Sequence, residues 1–206
     1  MAIITQIAVQ AKDKNRCNLY LDGKFFCGLN IETVIKYKLK VGVSVTETEL
    51  DAIQYDSEKL QALAKATNYL SKALKTERQM KDYLLGKGYG NAVVFFVIDK
   101  LKEYGYIDDL LYAQSYLRTY KDKKGVKLIA YELKLKGVDG DIISTALSEF
   151  EESENPAIAI AQKFCVGKEV TKELVQKLYR KLLSKGFTYD QVKQAIDQVY
   201  QGDEYD

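Results

Sequence analysis

The chain has 206 residues, 47% of them hydrophobic, a single proline and a formal net charge of +2, which fits one or two globular domains and excludes a disordered or polycationic polypeptide. Histidine is absent, so the commonest general base and the commonest metal ligand are both missing. Cys17, Cys27 and Cys165 provide neither a disulfide framework nor zinc-ligand spacing, and no apolar run reaches the roughly 18 residues of a membrane span. The N-terminus lacks the basic and apolar regions of a secretory signal. A cytoplasmic protein without membrane contact, metal or cofactor is expected.

Residues 1–30 predict strands. IITQIAVQ alternates, placing Ile3, Thr5, Ile7 and Val9 on one face, and NLYLDGKFFCGL predicts a hairpin turning at Asp22-Gly23. If Leu21 pairs with Lys24, Cys17 falls opposite Gly28 and Cys27 opposite Asn18, so the two cysteines point to opposite faces. Helical signals follow. Asn30 caps IETVIKYKL, and Thr46 with Glu49 forms a capping box for a helix carrying Leu50 and Ile53.

Beyond residue 55 the chain repeats itself. The endings KGY, KGV and KGF place Gly88, Gly137 and Gly186 at a constant spacing of 49. Each glycine can adopt the left-handed conformation that ends a helix, folding the next apolar residue back: Tyr89 onto Leu84, Val138 onto Leu133, Phe187 onto Leu182. Lys87, Lys136 and Lys185 precede the glycines, where a cation complements the negative helix end.

Each repeat reads as three helices. The first has 57–73, a helix opened by the Thr76/Gln79 capping box, and 91–104. The second has 109–120, 126–136 and 140–150, with Asp108 and Asp139 as N-caps. The third opens at Asn155-Pro156 and continues through 171–185 and, after the Thr188/Gln191 box, 189–201. Met80, Ile129 and Leu178 hold one apolar register position, and Ile98, Leu147 and Ile196 another. The expected fold is mainly α: three tandem three-helix bundles, which suit an extended partner, with a small N-terminal antiparallel sheet. The expected divisions are 1–55, 56–107, 108–152 and 153–206, with ESENP as the most linker-like stretch.

Catalytic signatures are missing: there is no phosphate-binding glycine loop, no G-x-S-x-G and no spaced metal ligands. The Asp108-Asp109 pair is explained by capping, since an Asp before an apolar helix accepts its first N–H groups and its neighbour complements the positive helix end. Charge is more informative. Between residues 118 and 136, Arg118, Lys121, Lys123, Lys124, Lys127, Lys134 and Lys136 face only Asp122 and Glu132, a local net of +5. Such a patch attracts a phosphate backbone or an acidic protein face, although lysine-rich turns are also ordinary solvated loops. Tyr104, Tyr106, Tyr112, Tyr116 and Tyr120 interleave with it, either as stacking surfaces for bases or, as amphipathic aromatics commonly do, packed between helices.

Gly105-Tyr106-Ile107-Asp108-Asp109 with Tyr112-Ala113, followed by Gly125, Ile129, Glu132-Leu133 and Lys136-Gly137-Val138, resembles the signature of the RecX family of bacterial recombination regulators. The resemblance extends by its repeats over about residues 60–200, most specifically in the middle repeat. Thr76-Glu77 and Met80 replace the family's usual Ser-Glu and Leu, and the third repeat keeps mainly its Lys-Gly-aromatic ending. The resemblance implies a curved, elongated array of three-helix modules that lies in the groove of the RecA filament on single- or double-stranded DNA; a monomer is expected separately, because the sequence shows no coiled-coil seam. It implies inhibition of ATP hydrolysis, of strand exchange and of the co-protease activity that triggers the SOS response. The expected contacts are Arg118, Lys121, Lys123, Lys124, Lys127 and Lys134, with Gly88, Gly137, Gly186, Tyr106, Asp108 and Asp109 as structural motif residues. The competing reading is a helix-turn-helix-like DNA- or RNA-binding module without a recombinase partner, which the chain supports poorly because no helix presents an Arg/Asn/Gln group for base edges.

Overall fold

The computed structural model describes residues 1–150 and 154–200, which excludes residues 151–153 around the start of the linker-like stretch and Gln201 of the last expected helix. The chain divides into two compact units. One comprises Met1–Leu74 with Met80–Ile107, and the other Lys75–Gln79 with the residues from Asp108 onward.

The first unit begins with strands β1 (Ala2–Val9), β2 (Arg16–Leu21) and β3 (Lys24–Asn30) and the two-residue β4 (Ser44–Val45), in the antiparallel order β3-β2-β1-β4. Asp22 and Gly23 both have positive φ, 48° and 80°, the two-residue turn whose twist suits a hairpin. Leu21 pairs with Lys24 as expected, but Phe26 bulges out, so Leu19 faces Cys27 and Cys17 faces Leu29. The bulge turns both cysteines to the buried face, correcting the opposite-face expectation, and both remain free thiols. A second irregularity at Thr5 has the same effect on β1: Ile4 and Ile7 turn inward while Ile3 and Val9 are exposed. One extra residue reverses every side chain beyond it.

Helix α1 (Ile31–Lys36) is capped by Asn30, whose side chain accepts from the Glu32 N–H. The Thr46/Glu49 capping box opens α2 (Glu47–Leu70), a single 24-residue helix where two were expected. Nothing between Ile53 and Ser57 breaks a helix, and Ser57 lies inside it, its buried hydroxyl accepting from the Asn30 N–H at 2.8 Å. The sheet core of Ile4, Cys17, Leu19, Leu29 and Ile53 is thereby tied to α2. With α3 (Glu77–Gly86) and α4 (Asn91–Glu103), α2 makes the first bundle, around Ala62, Ala66, Met80, Leu84, Val97 and Leu101.

The second unit holds α5 (Asp109–Tyr120), α6 (Val126–Leu135), α7 (Gly140–Ser148), α8 (Pro156–Cys165), α9 (Lys172–Ser184) and α10 (Tyr189–Asp197). Ala113, Leu117, Ile129 and Leu133 fill one bundle, and Ala161, Leu178, Leu182 and Val192 the other. Gly88, Gly137 and Gly186 have φ of 86°, 87° and 83°. Beyond each, the N–H of Tyr89, Val138 and Phe187 returns to the carbonyl of Leu84, Leu133 and Leu182 at 3.3, 3.1 and 3.4 Å. These are the expected helix-ending pairs, and all six side chains are buried. Met80, Ile129 and Leu178 are fully buried, confirming the repeat register.

Candidate functional site

Helices α5 and α6 carry the basic segment. Asp108 caps α5, its carboxylate accepting from the Leu111 N–H at 2.9 Å. Asp109 accepts from the Glu77 N–H at 2.9 Å, satisfying a first-turn donor of α3. The adjoining Thr76 hydroxyl donates to the Lys136 carbonyl at 2.7 Å, and the Arg78 side chain packs over Gly137. Both aspartates serve main-chain geometry.

Tyr112, Tyr116 and Tyr120 recur every four residues and so share one face of α5. The rings of Tyr112 and Tyr116 lie 6.1 Å apart and those of Tyr116 and Tyr120 4.4 Å apart. All three are half-buried, so they pack between helices. Tyr116 donates to Glu132 at 2.9 Å, and Lys124 Nζ reaches both Glu132 oxygens at 2.6 and 2.7 Å while lying 4.3 Å from the Tyr120 ring centre. Lys136 covers the Tyr116 ring from 5.4 Å. Burial pushes the Tyr116 hydroxyl up, and its bond to Glu132 adds to the rise. Burial opposes ionisation of Glu132 as well, but the Lys124 and Tyr116 hydrogen bonds, with the Lys124 and Lys136 charges, outweigh it and hold that carboxyl below its ordinary value.

This arrangement sets Lys124 apart from the other residues of the expected contact set. Lys124, with its side chain 23% exposed, is turned toward Glu132 and the Tyr120 ring as an anchor. Arg118, Lys121, Lys123, Lys127 and Lys134 are exposed. Lys127 and Lys134 flank Tyr131 on α6, and Leu135 completes the stripe; Tyr131 is 59% exposed and Leu135 63%. The i, i+4, i+7, i+8 spacing was readable, but the charge count alone passed over these two residues. Tyr106, also exposed, meets Tyr104 edge to face with ring centres 6.1 Å apart.

The basic turn is held from the third bundle. The Gly125 N–H donates to the Lys185 carbonyl at 2.9 Å, and Lys185 Nζ donates to the Lys123 carbonyl at 3.3 Å. A Cβ on Gly125 would lie 2.2 Å from the Gly186 carbonyl oxygen, so this position requires glycine for space and not for its backbone angles. Among the described residues there is no cluster of potential metal ligands and no helix long and apolar enough to cross a membrane.

Known proteins match this architecture from end to end. The Regulatory protein RecX N-terminal domain matches residues 2–46, and the first, second and third RecX three-helix domains match residues 62–101, 108–147 and 157–196. The chain is 36% identical to Regulatory protein RecX of Clostridioides difficile over the whole of both chains. It is 33% identical to that of Bacillus subtilis, covering 99% of this chain and 80% of the relative. A crystal structure of regulatory protein RecX superposes with a TM-score of 0.72 at 29% identity, covering 96% of this chain and 100% of the other. RecX from Lactobacillus salivarius gives 0.61 at 28% identity, over 69% and 96%. The relatives are named as regulatory proteins, and this chain, sharing their N-terminal domain and all three of their helical domains, belongs to the RecX family.

Proposed function

We propose that the chain is a regulator of the RecA recombinase that binds the RecA–DNA filament in its groove and restrains ATP hydrolysis, strand exchange and the SOS co-protease activity. It acts in the cytoplasm, as a monomer, and without catalysis of its own. The observation that carries this reading is the set of exposed cations Arg118, Lys121, Lys123, Lys127 and Lys134, borne by α5, α6 and the turn between them in a chain of the RecX family. Such a set suits the phosphates or acidic protein faces that a nucleoprotein filament presents.

The test is ATP hydrolysis by a RecA filament on single-stranded DNA as the chain is added at far less than one molecule per RecA protomer. The expected result is a fall in rate at that ratio, the behaviour of a ligand that controls a filament from few sites. An unchanged rate together with tight, steeply salt-dependent binding to bare DNA would replace this reading with the helix-turn-helix-like nucleic-acid module.

A further inference from the structure

The N-terminal sheet has one face packed on its helices and one face open. Ile4, Leu19, Leu21 and Leu29 point inward, so alternation puts Gln6, Tyr20 and Phe25 in one row across the open face and Ala8, Asn18 and Gly28 in the next. Tyr20 and Phe25 meet edge to face at 5.8 Å, and Phe25 is 59% exposed. The bulge that corrected the cysteine register also brings Phe26 to the surface beside it. Aromatic area held open on a rigid sheet offers a flat π-surface to a ligand.

The same face carries a cation without a counter-ion. Arg16 lies over Gly28, where any Cβ would come within 2.9 Å of its Nη2, and donates to the Gly28 carbonyl at 3.3 Å. The Gln61 amide of α2 sits between the guanidinium and the Tyr89 hydroxyl, and the orientation that satisfies both has its oxygen toward Arg16 and its nitrogen toward Tyr89. These partners are neutral, the Arg16 Nε is buried with no acceptor, and among the described residues no carboxylate lies within ion-pair distance of the side chain. A half-desolvated guanidinium without an anion is electrostatically incomplete, and its fork matches a phosphate. Lys12, Lys14 and Lys24 stand exposed at the sheet's two ends. Residues 1–46 hold seven Lys/Arg against three Asp/Glu, a net of +4.

We propose that the open face of the N-terminal sheet is a binding platform for single-stranded nucleic acid, with a base stacked on Phe25 beside Tyr20 and a backbone phosphate drawn to Arg16. A single strand is the occupant because only unpaired bases can lie flat on an exposed ring, whereas an acidic protein face would satisfy Arg16 and leave Phe25 unused. The proposal stands independently of the filament reading, since it requires no recombinase.

The chain contains no tryptophan, so Phe25→Trp introduces a single tryptophan at the centre of the platform, whose emission is read under excitation selective for tryptophan over the tyrosines. The full-length variant is titrated with an oligothymidine of about 16 nucleotides, the upper end of a single-strand site. Anisotropy of a label on the oligonucleotide reports binding. The expected result is quenching of the tryptophan emission in step with binding, and about tenfold weaker binding by Phe25→Ala, within the range of one lost stacking contact. Because Phe25 is exposed, the thermal midpoint of Phe25→Ala should match that of the parent chain. Three results would overturn the proposal: absence of binding, saturation of the chain with unchanged emission, or quenching by RecA alone but not by the oligonucleotide, which would make the occupant a protein.

Discussion

Gly125 and Gly186 meet main chain to main chain: a methyl group on Gly125 would lie 2.2 Å from the Gly186 carbonyl oxygen and 2.5 Å from the Phe187 nitrogen. Neither side of this contact is a flexible side-chain tip, so neither can yield cheaply. Gly125→Ala is expected to destabilise the chain by about 1–3 kcal/mol, the cost of overpacking a tight site. Gly86→Ala supplies the control. Gly86 closes α3 with open space around it, and alanine there should stabilise by about 0.4–1 kcal/mol through the unfolded state. Urea unfolding of both variants checks the pair, and equal effects would remove the steric explanation.

The Lys124–Glu132 pair makes a second prediction. Lys124 contributes an ion pair and a ring contact at partly exposed positions, so Lys124→Ala should cost about 1–2 kcal/mol. Lys121→Ala, at an exposed position, should stay within about 0.5 kcal/mol. Chemical denaturation of the two single variants would distinguish the anchor from the free cation.

The helices were legible because their ends are chemical. Asn30, Thr46, Thr76, Asp108, Asp139 and Thr188 each cap by a hydrogen bond to a residue two or three positions away, which a linear reading can find. The sheet register was not, because the bulges at Phe26 and Thr5 answer to packing against α2 and leave no local signature. Ser57 shows the same limit: a residue type that opens helices lies inside one because its partner, Asn30, is 27 positions away. The inward turn of Lys124 was hidden for a related reason. Its sequence neighbours are charged and turn-like, and the carboxylate that turns it inward lies on α6.

Asp56 gives a pH prediction. Burial disfavours its charge, but hydrogen bonds from Lys36, Lys59 and Tyr37 prevail and lower its pKa from 3.8 to about 2. A carboxyl lowered by folding stabilises the fold above its unfolded pKa, and that contribution is lost as pH falls through the folded value. The parent chain should therefore lose this contribution between about pH 4 and pH 2. Asp56→Asn should be less stable than the parent at pH 6, by about 1 kcal/mol, with the difference closing toward pH 2. Urea midpoints across that range check it, and a difference that persists at pH 2 would assign the loss to packing.

The outward cations carry the functional prediction. Lys121, Lys123 and Lys127 are exposed, and none makes an ion pair among the described residues, so reversing all three to glutamate should leave the fold intact while inverting the charge of the surface. Sub-stoichiometric restraint of RecA ATP hydrolysis should fall at least tenfold in potency, and the circular-dichroism melting midpoint should stay close to that of the parent. Salt dependence then identifies the contact. Loss of phosphate contacts lowers the slope of log affinity against log salt on bare DNA by about 0.7–0.9 per contact. Contact with an acidic protein face leaves that slope unchanged and weakens filament binding alone. Full restraint by the triple variant would show that the α5–α6 surface does not meet the filament, and would direct attention to the other helices of the second unit.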